Sequence, residues 1–205
     1  MTKRIAKVLC AVAVIAAAVS VPSAQVGKTQ GVADINTMPE AAVTALPGVT
    51  PAIAKALLAK RPFASITELN AFLLSQGLTQ EQAAAIYAKA FVHINLNTAT
   101  AEEIILVPGA GRRMQREFPE YRPWKTYAQF DREIGKYVGP EATAKLAQYT
   151  FIPMNANTAS DADLMTVPGA DQAWADKVKK GRSYKSAADL GKVAGKAQAR
   201  FFVVE

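Results

Sequence analysis

Asn97-Thr-Ala-Thr-Ala-Glu-Glu-Ile-Ile-Leu-Val-Pro-Gly-Ala-Gly111 contains a frame that occurs three times in the chain. Asn-Thr is followed, twelve residues after the Asn, by the Gly of a Leu/Val-Pro-Gly turn: Asn36 to Gly48, Asn97 to Gly109 and Asn157 to Gly169. The Asn-to-Asn offsets are 61 and 60. Fifteen residues beyond each Gly stands an aromatic (Phe63, Trp124, Tyr184), with an arginine two places before it at Arg61, Arg122 and Arg182. Anchors that hold register this long in three copies define a tandem array, so function is argued once for the unit and then checked copy by copy.

Each unit opens on a polar start signal followed by apolar residues at helical spacing, as in Val43 and Leu46, Ile104 and Val107, Leu164 and Val167. Thr37 with Glu40, and Thr158 with Asp161, predict helix caps; copy two has Ala101 at the third position and a simpler cap. Pro-Gly then ends the helix, because Gly accepts the left-handed conformation past a C-terminus. A second helix starts within a few residues, with Thr50 as cap and Pro51 in its first turn. The in-register aromatics are read as core plugs, with a stacking platform for nucleobases as the alternative. Further hairpin-like breaks are signalled at Gly77, at Gly139-Pro140 and at Gly195. In copy three the last helix is expected to be truncated or replaced by the apolar tail Phe201 to Val204. No segment alternates at period two over a useful length, so the fold class is all-α.

The first 24 residues differ in kind. Lys3, Arg4 and Lys7 precede an uncharged run from Val8 to Val19, which passes into small residues at Ser20 to Ala24. That pattern reads as a secretory signal peptide cut after Ser23 or Ala24, the run being short for a membrane span; an uncleaved anchor is the alternative. The expected organisation is therefore signal peptide 1–24, linker 25–33, and repeats at 34–95, 96–155 and 156–205, in a periplasmic or secreted protein. Losing the leader takes the formal charge from +7 to +4, since it carries three basic residues and no acidic ones. The repeats are nearly balanced, with four Lys/Arg against four Asp/Glu, eight against seven, and eight against six. Polyanion affinity must then come from where charges sit and not from their excess. The only cysteine, Cys10, lies in the leader, and the only histidine, His93, in an apolar junction. With no metal constellation, no thiol and no Ser-His or paired-carboxylate spacing, neither an enzyme nor a cofactor is expected. Glu102-Glu103 is ordinary helix-start chemistry.

The copy-two phrase, together with Leu46-Pro-Gly-Val-Thr-Pro-Ala-Ile-Ala-Lys-Ala-Leu57, resembles the helix-hairpin-helix module of the competence protein ComEA family, and the Arg-Pro-Phe turn and its counterparts match the family's turn between hairpins. The resemblance covers nearly all of residues 34 to 205. It implies three tandem helix-hairpin-helix modules of about 60 residues, in a family whose best-known members bind incoming double-stranded DNA outside the cytoplasmic membrane. Similar modules in repair proteins grip the DNA backbone. An extrinsic lumenal protein of photosystem II resembles the module too and is a structural subunit, so two functions stay open.

What the family's hairpin does is bind an anion: amides of a Gly-hydrophobic-Gly turn, at the positive start of the second helix, point at a phosphate oxygen. Only copy two keeps that pattern, as Gly109-Ala110-Gly111, and Arg112, Arg113 and Arg116 follow at once. Gln115 stands where the family has a small residue, and Pro119 is expected to interrupt the helix. Copy one offers Gly48, Val49 and Thr50, with Lys55 and Lys60 nearby; the Thr50 hydroxyl competes for the same amides. In copy three Asp171 brings its own carboxylate, beside a basic run of Lys177, Lys179, Lys180 and Arg182. The leading expectation is sequence-independent binding of double-stranded DNA, in uptake or retention. The alternative is a periplasmic scaffold that binds a protein partner with degenerate hairpins.

Overall fold

The computed structural model describes residues 32–205, so the expected signal peptide and all but the last two residues of the linker lie outside the described residues. The chain first forms β1 (Ala33–Asp34), α1 (Glu40–Thr44), α2 (Pro51–Lys60), α3 (Ile66–Ser75), α4 (Gln80–Tyr87) and β2 (Ala90–Phe91). Next come β3 (Ile94–Asn95), α5 (Ala101–Ile105), α6 (Gly111–Glu120), α7 (Tyr127–Ala147) and β4 (Thr150–Phe151). Gly139, at φ 76° and ψ 168°, breaks α7 into two helical stretches. The third stretch holds β5 (Met154–Asn155), α8 (Asp161–Leu164), α9 (Gln172–Lys180), α10 (Ala187–Ala194), α11 (Lys196–Ala199) and β6 (Phe202–Val203). The end of the chain is thus both a shortened helix and an apolar tail.

The described chain is mostly helical, in line with the all-α expectation. It also carries three parallel two-stranded ladders that the sequence did not announce: β1 with β2, β3 with β4, and β5 with β6. Two residues are too few for a period-two pattern to emerge. Each ladder joins the beginning of a stretch to its end.

The recurring Asn and aromatic are coupled by direct bonds. Asn97 Oδ1 accepts from the Trp124 amide at 2.6 Å, and its Nδ2 donates to the Trp124 carbonyl at 3.0 Å. Asn36 holds Phe63 in the same way at 2.8 and 2.9 Å, and Asn157 holds Tyr184 at 2.8 and 3.2 Å. The recurring arginine closes the other side. Arg122 donates to the carbonyls of Leu96 and Ala99 at 2.8 and 2.6 Å, and Arg182 to those of Ala156 and Ala159 at 2.9 and 2.6 Å. Arg61 reaches only the Met38 carbonyl, at 2.6 Å, and its Nε and Nη2 are buried without a protein partner.

This arrangement corrects the expected caps. The turn containing Asn-Thr is held by the residue two places before the Asn (Asp34, Asn95 or Asn155), whose carbonyl accepts from Met38, Ala99 and Ala159 in the three stretches, so the helix cannot begin at Thr37 or Thr158. It begins about two residues later. Thr100 with Glu103 and Ser160 with Asp163 form complete capping boxes, whereas α1 follows Pro39 and has no side-chain cap. Copy two, expected to have the simpler cap, has a full one.

Phe63, Trp124 and Tyr184 are between 1 and 4% exposed, which removes the stacking-platform alternative. Trp124 Nε1 donates to the Phe118 carbonyl at 2.8 Å and the Tyr184 hydroxyl to that of Val178 at 2.7 Å, so each polar tip is satisfied where it is buried. Burying a side chain of this size contributes roughly 2–3 kcal/mol. The core falls into two clusters. One runs from Val32 to Ile152, and the other from Phe151 to Phe202.

Replacing Asn97 with Ala strands a buried amide and carbonyl of Trp124 and is expected to cost about 2–3 kcal/mol in urea unfolding. Thr98→Ala, one residue on at an exposed position, should stay within about 0.5 kcal/mol.

Candidate functional site

The bend between α5 and α6 is built by two glycines around one apolar residue. Gly109 has φ 84° and Gly111 φ 60°, a region where a Cβ is disfavoured. A Cβ at either would meet nothing within 4 Å, so the requirement is conformational and the space outside the bend is open. Between them Ala110 is 5% exposed and packs into the larger core, its amide donating to the Val107 carbonyl at 3.0 Å.

No side chain caps α6. The amides of Gly111, Arg112 and Arg113 have no backbone partner in the adjoining turn, as expected for the first residues of a helix. They lie at its positive end, where an anion is favoured. Met114 and Phe118 bury one face of α6, which leaves Arg112, Arg113 and Arg116 exposed on the other. Arg113 is 3.9 Å from Glu117 and lies over the Tyr137 ring at 4.6 Å. The Tyr137 phenol is held above its ordinary range by its hydrogen bond with Tyr121, then by burial and Glu117, so the ring under Arg113 stays neutral. Arg112 and Arg116 form no ion pair among the described residues.

Two expectations for α6 are corrected. Pro119 does not interrupt it: the helix runs on to Glu120, because Pro119 lies in its final turn and deletes only the bond its own nitrogen would have made. Gln115 is half-buried and useful, its Nε2 donating to the Ala101 carbonyl at 2.9 Å and tying α6 to the start of α5.

At the first bend Gly48 has φ 72°, Val49 packs against the core, and Thr50 Oγ1 accepts from the Ile53 amide at 3.3 Å. Lys55 is exposed, while Lys60 is held by Glu68 at 2.8 Å. At the third bend Asp171 accepts from the Trp174 amide at 2.7 Å. Lys179 is held by Asp161 and Asp176 at 2.8 and 3.1 Å, and Arg182 belongs to the clasp described above, so half of that basic run is already committed. The structure therefore brings together Gly109, Ala110, Gly111, Arg112, Arg113 and Arg116, and leaves Gly48, Val49, Thr50 and Lys55 as a separate, self-capped bend.

One feature of the site had no sequence signal. A cleft of about 230 Å³ runs beside the middle bend, with Gln80, Ala84 and Tyr87 of α4 facing Ile105, Gly109 and Gly111. It exists because α4 is carried there from a stretch more than 20 residues upstream. No protein-family model, no curated protein and no solved structure matches the chain.

Arginines at this site and arginines of the clasp should separate cleanly in denaturation experiments. Arg112→Ala and Arg116→Ala are expected to change stability by less than about 0.5 kcal/mol, and Arg122→Ala to cost about 3 kcal/mol by removing two charge-assisted bonds.

Proposed function

We propose that the chain is an exported protein of three tandem helix-hairpin-helix modules that binds double-stranded DNA without reading its sequence. The phosphate backbone is held at the middle bend by the amides of Gly111, Arg112 and Arg113, and by the side chains of Arg112, Arg113 and Arg116. The observation that carries this reading is the uncapped start of α6 between two positive-φ glycines, next to three exposed arginines. A fold needs neither: a capped helix start is more stable, and like charges in a first turn oppose the helix dipole. Phosphate bonds of this kind position a duplex and carry no sequence information. Lys55 adds general attraction at the first bend. DNA uptake or retention outside the cytoplasmic membrane is the role that fits the resemblance to the ComEA family.

The self-capped Thr50 and Asp171 bends favour a second reading, a periplasmic scaffold that engages a protein partner and whose hairpins no longer take phosphate. Residues 25–205 titrated with a short duplex by fluorescence anisotropy at several salt concentrations decide between them. DNA binding predicts a dissociation constant on the order of micromolar and a negative log-log salt slope. In the variant with Arg112, Arg113 and Arg116 changed to Ala, that slope should shrink by about 0.9 for each phosphate the protein no longer neutralises. Absence of binding at about 50 mM salt would leave the scaffold reading.

Thr50→Gly gives a gain-of-function counterpart. It removes the internal cap and creates a Gly-Val-Gly bend in the first stretch, at a stability cost of only about a few tenths of a kcal/mol. The salt slope should steepen by about 0.9 as one more phosphate is engaged.

A further inference from the structure

The two core clusters meet at a polar contact, and its residues are not required by the local fold. Asp34 is 2% exposed and His93 is fully buried, with His93 Nδ1 donating to Asp34 Oδ2 at 3.1 Å. Arg200, distant in sequence, brings Nη1 to 3.4 Å from the same oxygen and donates from Nη2 to the His93 carbonyl. Its guanidinium also lies over the rings of Phe151 and Phe201, at 5.5 and 5.3 Å. Burial alone would raise the Asp34 carboxyl; the hydrogen bond from His93 and the charges around it outweigh burial and hold it below the usual range.

The equivalent positions in the other stretches carry no such charges. Asp34 Oδ1 accepts from the Asn36 amide at 2.9 Å, and Asn95 and Asn155 make the same bond to Asn97 and Asn157, also at 2.9 Å, without any charge. Arg200 stands two residues before β6, where Ala88 precedes β2 and Gln148 precedes β4. Neither the turn nor the ladder needs an ionised group. A second contact lies on the same pair of stretches: a Cβ placed on Gly169 would come within 2.8 Å of the Thr37 Cβ, so the third bend is seated against the first stretch.

We propose that Asp34, His93 and Arg200 form a latch that docks residues 153–205 as a separable body onto the body that holds the larger core. Each body keeps an apolar core of its own apart from Phe151, which the larger body lends to the smaller core against Phe201 at 4.7 Å; undocking parts those two rings but need not unfold either body. A buried charge deprived of its partner is costly, and opening lets it recover water. The closed state presses the Gly169 bend against Thr37, and the open state exposes both. The latch is a conformational device of the fold and does not depend on whether the middle bend takes DNA.

The test uses two substitutions whose products already occupy equivalent places elsewhere in the chain, Asp34→Asn and Arg200→Gln, and the double variant. Small-angle scattering reports shape and amide exchange with mass detection reports the interface, with far-ultraviolet circular dichroism checking helix content. Each single variant is expected to raise the radius of gyration and to speed exchange around Thr37 and Gly169 on the order of tenfold, with helix content unchanged and the double variant no more open than the singles. Unchanged scattering and exchange in both single variants, or strictly additive effects in the double, would overturn the proposal. If Asp34→Asn loses helix content, Arg200→Gln decides alone: an open, folded protein supports the latch, and a closed or unfolded one overturns it.

Discussion

A side-chain amide gripping a backbone amide 27 residues away is the constraint on which the structure rests. The bidentate bond from Asn36, Asn97 or Asn157 fixes where the buried aromatic sits, and the aromatic sets how the two flanking helices approach. The clasp arginine then ties the same turn to the preceding loop through carbonyls. Because donor and acceptor are both used at each end, shortening or lengthening the intervening chain would break the pair. That accounts for a spacing held to the residue while the connection between aromatic and ladder varies.

The helical character, the positions of the bends and the burial of the aromatics are all legible in the spacing. The partner of the Asn is not: it lies a whole helical hairpin away, and nothing local in Asn-Thr distinguishes a clamp from the neighbour of a cap. The cap position misleads because Thr37, Thr98 and Thr158 sit before acidic or small residues at suitable offsets, and only the turn closed by Asp34, Asn95 and Asn155 excludes them. The effect of Pro119 depends on how close it lies to the helix end, a boundary that sequence fixes poorly. Most of the candidate site is visible in the chain, since Gly109, Gly111 and the arginines are adjacent there. The cleft beside it is not, because it is made by α4.

The three bends illustrate a competition for one set of orphan amides. A hydroxyl at Thr50 or a carboxylate at Asp171 satisfies an amide from within and steadies its helix. Gly111 offers nothing of the kind, so α6 starts unsupported. The Gln115 bond to Ala101 and the burial of Met114 and Phe118 supply support further along the same helix. A helix secured downstream can leave its first turn to water or to a ligand.

The ladders bring the entry and exit of each stretch side by side, and only Val92 and His93 separate β2 from β3. A chain that leaves a unit where it entered can acquire another unit by in-frame duplication without rerouting what is already folded. Growth by copying is thus geometrically permitted.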